Sequence, residues 1–221
     1  MADEQQNKTV VGADSERSQI GNVQDVLTLL FSESRPLQLQ AIAAAGQMGT
    51  PLLLRALLWK YADGVSIVSN AVDEALTPHL SRIRGILWRE ASSPMRRVRA
   101  ASVHLLRQVA GLKDVGKFFP LLDDYELQVR DKTKQAIREV VGRELGSLEN
   151  LDNLEERHQA LSSLYRDFLA LSASGRAKQQ FGVEILVMIG VRSPNAFWHF
   201  LAETPGIDLN LFSGEFTRGT D

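Results

Sequence analysis

The side chains best placed to do chemistry in this chain are basic. Between Leu80 and Lys117 stand nine Lys or Arg, among them Arg96, Arg97, Arg99 and Arg107, against two acids, Glu90 and Asp114. That is a local excess of +7 in a chain whose formal charge is −2. Guanidinium and ammonium groups hold carboxylates and phosphates through charge-assisted hydrogen bonds. The chemistry implied is recognition of an acidic partner: a carboxylate-rich helix, a phosphorylated segment or a nucleic-acid backbone. The same cluster also fits a solvated basic face balanced by acids elsewhere in the fold.

Other chemistries find little support. The four histidines, His79, His104, His158 and His199, are far apart, and none forms an i, i+4 pair with another metal-type ligand, so no metal site is expected. Cysteine is absent, which excludes disulfides, thiolate nucleophiles and Cys-based zinc sites. Asp123-Asp124 has the residue types of a general acid and base, but it falls where a turn is expected, with no complementary group nearby. Gly142-Arg143-Glu144-Leu145-Gly146 lacks the spacing and the preceding strand of a phosphate-binding loop. Trp59 and Trp88 fall near the ends of expected helices, where packing is favoured over anchoring a partner, and Trp198 is expected to help cap the far terminus. No catalytic residue and no cofactor is expected, and the chain reads as a non-enzyme.

The elements that must position the basic residues are helices. With 221 residues and 44% hydrophobic content the chain can bury a continuous core. Residues 1–21 are polar and are expected to form a disordered N-terminal tail. They carry no signal-type apolar core, and no run reaches the ~18 apolar residues of a membrane span. A cytoplasmic, membrane-free setting is expected. Four segments repeat one pattern, an aliphatic residue with a small one four positions later: Leu39/Ala43, Ile67/Ala71, Val98/Ser102 and Val129/Thr133. Their spacings of 28, 31 and 31 lie in the range of stacked helix pairs.

Thr50-Pro51, Thr77-Pro78 and Ser93-Pro94 each set a capping hydroxyl before a proline suited to the first helical turn, and Gly49, Gly111 and Gly142 are expected stops. The helix pairs expected are Val23 to Phe31 with Pro36 to Gly49, Pro51 to Tyr61 with Val65 to Leu76, Pro78 to Glu90 with Pro94 to Ala110, and Asp114 to Leu122 with Glu126 to Val141. Beyond Gly142 the period is lost. A capping box at Asp152 and Glu155 opens a divergent pair, Arg176 to Val191 is its partner, and a short aromatic helix follows Ser193-Pro194. Residues 205–221 are expected to form an extended C-terminal arm, on the solenoid or docked to another protein.

Phe119-Pro120-Leu121-Leu122-Asp123-Asp124, followed by Val129-Arg130 and Ala136-Ile137, resembles a HEAT repeat, and Val98-Arg99 with Ser102 continues the likeness one unit earlier. The first two units lack the arginine. The resemblance covers residues 22–142 and implies an all-α, right-handed α-solenoid of about five antiparallel helix pairs, closed by residues 143–204 as a divergent pair and capping helix. It also implies that second helices line a concave face. On a wheel of about 100° per residue, Val98, Ser102, Leu105, Leu106 and Val109 form the core stripe, opposite Arg96, Ala100, Val103, His104 and Arg107. One period later the opposite positions include Lys134, Gln135 and Arg138.

The partner-binding residues expected are therefore Arg96, His104, Arg107, Lys134, Gln135 and Arg138. Arg99, Arg130, Asp123 and Asp124 are expected to form the family's inter-repeat ladder. The function implied is a non-enzymatic adaptor or scaffold holding an acidic protein segment. The alternatives are nucleic-acid backbone binding by the same face, or a HEAT-like enzyme of bilin-lyase or DNA-glycosylase type. The His-Glu dipeptides of HEAT-like iron hydroxylases are absent. Oligomeric state is left open.

Overall fold

Asn22 opens the first helix through its side chain, which accepts the Asp25 amide at 2.9 Å. The computed structural model describes residues 22–62, 66–149, 154–172 and 176–203, and the described residues are helical, with no strand among them. The expected tail (1–21), the capping box at Asp152 and Glu155, and the arm (205–221) lie outside what is described. The helices are α1 (Val23–Leu30), α2 (Arg35–Met48), α3 (Pro51–Ala62), α4 (Ser66–Leu76), α5 (Leu80–Glu90), α6 (Arg96–Val109), α7 (Val115–Phe118), α8 (Leu127–Glu149), α9 (Leu154–Ser172), α10 (Arg176–Arg192) and α11 (Pro194–Glu203). Packing divides the chain into two units, with the break between His79 and Leu80.

In the first unit α1 packs on α2 and α3, and α4 packs on α2 and α3. The core is Val26, Leu30, Ile42, Leu53, Leu54, Leu57, Leu58, Val72 and Leu76, all buried. Gly49 ends α2 with φ 56°, a left-handed conformation that glycine adopts without a Cβ penalty. Gly46 serves the crossing of α2 with α4, because a Cβ there would stand 2.9 Å from the Cβ of Ala75 and 3.2 Å from its Cα. His79 donates from Nε2 to the Gly46 carbonyl at 2.8 Å and ties the end of the unit to the same spot. Gly46→Ala is expected to be destabilising. Overpacking costs about 1–3 kcal/mol, against a gain in helix propensity of about 1 kcal/mol. A rise in the urea midpoint of this variant would show that the two helices part freely.

In the second unit α6 packs between α5 and α8, the residues around α7 cover α8, and α9, α10 and α11 pack on one another, with α10 also touching α8. Val98, Leu105, Leu106, Val129, Ile137, Val140 and Val141 form the middle of the core, and Tyr165, Phe168, Ile185 and Ile189 its far part. Ser102 and Thr133, the small members of the repeated pattern, are fully buried. Each hydroxyl donates at 2.8 Å to the carbonyl four residues earlier, on Val98 and Val129. An aliphatic residue followed at i+4 by a small hydroxyl thus gives close packing with no orphaned polar group.

Several sequence expectations are corrected. Ala100 and Val103, placed on the outer stripe of α6, are buried, because α6 has a neighbour on both sides. The repeated pattern is out of phase in the first unit: Ile67 is 53% exposed while Val68 and Val72 are buried. One residue is about 100° on a helix, so a match in residue class does not fix the buried face. Gly142 does not stop α8, which runs 23 residues to Glu149, since Leu145 extends the buried row of Ile137 and Val141.

The helix expected from Asp114 to Leu122 is broken into a 3-10 turn (Leu112–Asp114), the single turn of α7 and a second 3-10 turn (Phe119–Asp123). Pro120 has no N–H to continue the α pattern and its ring crowds the preceding turn. Thr50 accepts the Leu53 amide at 3.4 Å as a cap. Thr77 instead donates to the Asp73 carbonyl at 2.7 Å, and Pro78 lies in a 3-10 turn ahead of α5. Ser93 accepts the Met95 amide at 3.3 Å, and α6 begins at Arg96. At the far end Phe197 and Phe200 pack on Tyr165, with ring centroids at 5.5 and 4.7 Å, whereas Trp198 is 61% exposed.

Candidate interaction face

Arg107 stands on α6 and Lys134, Gln135 and Arg138 on α8, and the two arginines each meet an acid on the next helix along, α8 or α10. Arg107 on α6 reaches Glu139 on α8 through one nitrogen, at 2.6 and 2.9 Å from the two carboxylate oxygens. Arg138, 31 residues after Arg107, reaches Glu184 on α10 at 2.5 and 2.9 Å through two nitrogens. Arg96 lies 3.5 Å from Glu126. Gln135 donates to Glu139 at 2.9 Å, and His104 gives its carbonyl to Arg107 Nε at 3.1 Å. Lys134 and Arg138 lie over the Phe181 ring, 6.0 and 5.2 Å from its centroid. The hydrogen bond from Arg138 to Glu184 raises the guanidinium pKa; burial opposes this, and the charge of Glu184 adds to it.

The expected partner-binding residues are therefore brought onto one set of packed helices, and Arg96, Arg107 and Arg138 arrive there as ion pairs. Three cations of the cluster, Arg99, Arg96 and Arg107, are paired from outside its own segment, by Asp124, Glu126 and Glu139. Asp124 was expected beside Arg99 as part of the inter-repeat ladder, whereas Glu126 and Glu139 were not singled out from sequence. Glu139 was readable, since it lies one helical turn after Gln135 and directly follows Arg138, the residue one period after Arg107. Glu184 lies where the period is lost, and nothing marked it.

Arg99, Asp124 and Arg130 form a second, buried assembly. Arg99 is only 4% exposed. Its Nε and one terminal nitrogen hold both oxygens of Asp124 at 2.8 and 2.9 Å, and its other nitrogen donates to the carbonyls of Ser93 at 2.9 Å and Pro94 at 3.2 Å. Arg130 donates to the Asp124 backbone carbonyl at 2.6 Å, while Asp123 pairs with Lys178 on α10. The turn before α6 and the turn before α8 are thereby tied through one guanidinium. Tyr125, unmarked in the sequence, lies over it with the ring centroid 4.6 Å away.

A third cluster surrounds Asp114, whose side chain is almost wholly buried. It accepts the Gly111 amide at 3.1 Å and Lys117 at 3.0 Å, and it pairs with Arg84. A cleft of about 870 Å³ lies beside it, lined by Arg84, Lys113, Arg143, Glu144 and Asp167 among others. Arg143 is engaged there by the carbonyls of Arg107, at 2.8 Å, and Ala110.

For Asp114 and Asp124 burial opposes ionisation, but amide and side-chain hydrogen bonds with nearby cations outweigh it and hold both carboxyls below their ordinary range. Depressed carboxyl values contribute stability that is present above the unfolded value of about 3.9 and lost as pH falls through the folded values. The urea midpoint is expected to fall as pH drops below about 4. Asp114→Asn/Asp124→Asn, though less stable at neutral pH, should show a shallower fall. An equal slope in variant and parent would assign acid sensitivity to other groups.

His79 belongs to the first unit, and the side chains of His158 and His199 lie outside the described residues. Among the described residues no group of three His, Cys, Asp or Glu is placed to hold a metal ion. None of their helices is long and apolar enough to cross a membrane. No protein-family model matches the chain, and no curated protein matches its sequence.

Proposed function

We propose that this chain is a non-enzymatic adaptor of HEAT-like repeat type, acting in the cytoplasm, that binds another protein and holds an acidic segment of it on the α6–α8 face. One observation carries the reading: Arg107 and Arg138, one period apart on contacting helices, are each held in place by a carboxylate while remaining partly exposed. Exposed ion pairs contribute little stability, about 0–1 kcal/mol, so a partner carboxylate can replace Glu139 or Glu184 at small net cost. The guanidiniums are already ordered, which lowers the entropy lost on binding.

Contacting helices lie about 8–10 Å apart. Two acids seven residues apart on a helix, roughly 10 Å, or three apart on an extended strand, match that spacing. Selectivity then comes from geometry rather than net charge. A nucleic-acid backbone is less well suited, because Glu139 and Glu184 set fixed negative charge beside each arginine.

Removing both cations leaves the two glutamates and turns the face acidic. A pull-down from nuclease-treated lysate of the source cell is expected to retain a protein on the native chain that Arg107→Ala/Arg138→Ala loses by about tenfold or more. Thermal melts of the two forms should stay close, since the pairs are exposed. Retention of the same proteins by both forms would remove the face from the function. Loss of all bound material after nuclease treatment would favour nucleic acid.

A further inference from the structure

The turn before α8 presents a side chain that the ion-pair face does not use. Tyr125 is 73% exposed, although Arg99 beneath it is buried and fixed by hydrogen bonds to Asp124, Ser93 and Pro94. One face of the ring rests on the guanidinium and the other is open. An exposed tyrosine normally loses rotamer freedom when it binds, whereas this one is already held by a cation–π contact. Two further exposed apolar side chains stand on the turns that Arg99 ties together: Met95 beside Pro94, and Leu127 at the start of α8. An aromatic backed by arginine with apolar neighbours is the composition of a binding hot spot.

The charge around it points to the partner. Arg96 and Arg97 follow Met95 directly, and both are exposed. Arg96 has only a long, 3.5 Å contact to Glu126, and Arg97 has no ion pair among the described residues. Asp124 is consumed by Arg99. Asp123 is held by Lys178 and Glu126 faces Arg96, so the uncompensated charge around this apolar, aromatic centre is the cation of Arg97.

We propose that Tyr125, with Met95 and Leu127, anchors an extended protein segment that carries an aromatic or aliphatic side chain next to a carboxylate. The side chain stacks on the open face of Tyr125, and the carboxylate meets Arg97 or Arg96. This rests on the adaptor reading and adds a second contact point, away from Arg107 and Arg138.

The test uses the full chain against a phage-displayed library of random linear peptides, with selected sequences remade as fluorescent peptides for anisotropy. The expected consensus is an apolar or aromatic residue adjoining Asp or Glu. Tyr125→Ala should weaken the selected peptides by about tenfold or more, and Arg97→Glu should weaken them with a matching drop in salt dependence. Tyr125→Phe should restore binding to within about threefold, because the ring is what stacks. The exposed position of Tyr125 lets these variants fold, which a thermal melt verifies.

A basic or purely polar consensus, or affinity unchanged in Tyr125→Ala, would overturn the anchor. Peptides that lose affinity only in Arg107→Ala/Arg138→Ala would overturn it and leave the adaptor reading standing. Failure to select any peptide, together with lysate retention lost in that double variant, would also sink the anchor alone. Binding of oligo(dT), lost in Tyr125→Ala, would replace the protein segment with a nucleobase. A Tyr125-dependent dimer in sedimentation would replace it with a second copy.

Discussion

Arg99→Ala is expected to lower stability by about 3–5 kcal/mol, read as a drop in the urea midpoint. Arg99 and Asp124 are both nearly buried, and the guanidinium also satisfies two carbonyls of the turn before α6. Truncating the arginine strands a carboxylate away from water and leaves those carbonyls unpaired, which costs more than the net worth of the pair itself. Arg99→Ala/Asp124→Asn should recover part of the loss, because the stranded charge is gone. Lysine is a poor substitute, since a point ammonium cannot span two carboxylate oxygens and two carbonyls at once. A loss below about 1 kcal/mol would place the pair in the class of solvent-screened surface bridges. Because Tyr125 lies on this guanidinium, the variant should also weaken any ligand that stacks there.

Leu105→Asp is the second large effect. Leu105 is fully buried in α6, which has α5 on one side and α8 on the other. Losing a buried leucine costs about 2–5 kcal/mol through transfer and cavity terms. Desolvating a carboxyl adds to this even when it takes up a proton. The sum is comparable with the whole stability of a typical domain, about 5–15 kcal/mol. Helicity by circular dichroism should fall broadly, and hydrogen exchange should accelerate across α5, α6 and α8 together. Loss confined to α9–α11 would break the assignment of α5, α6 and α8 to one shared core.

Comparison of Arg107 with Arg99 shows what was legible. Both are arginines on α6, separated by eight positions, and helical spacing alone placed Arg107 outward and Arg99 at the edge of the core stripe. Asp124 could be expected beside Arg99 from the likeness to a repeat, but the chain did not say that Arg107 and Arg138 each have an acid on the next helix, because a basic cluster has the same local composition whether free or paired and Glu184 is 46 residues from Arg138. Tyr125 was passed over for a related reason: a tyrosine at a turn carries no signal until the buried arginine beneath it is seen. Ala100 and Val103 were misplaced because amphipathicity predicts one buried stripe, and a helix with neighbours on both sides has two.

The first unit gives the same lesson from the other direction. Ile67 fits the repeated pattern by residue type and spacing, yet Val68 is the residue that packs. Pattern matching counts classes at intervals, whereas burial depends on phase, and a shift of one position turns the side chain by more than a quarter of a circle.

By itself the sequence determined that the chain folds into paired helices, where most of them start and stop, and that its polar chemistry is arginine and carboxylate without cysteine. These are local properties: apolar spacing, proline and glycine positions, composition. The tertiary structure alone decided that the outward arginines Arg107 and Arg138 are paired, that Gly142 is crossed rather than capped, and that α6 is covered on both sides. Ion pairing and double-sided burial are set by residues brought together from different helices, and the energy that selects them exists only once the helices have met.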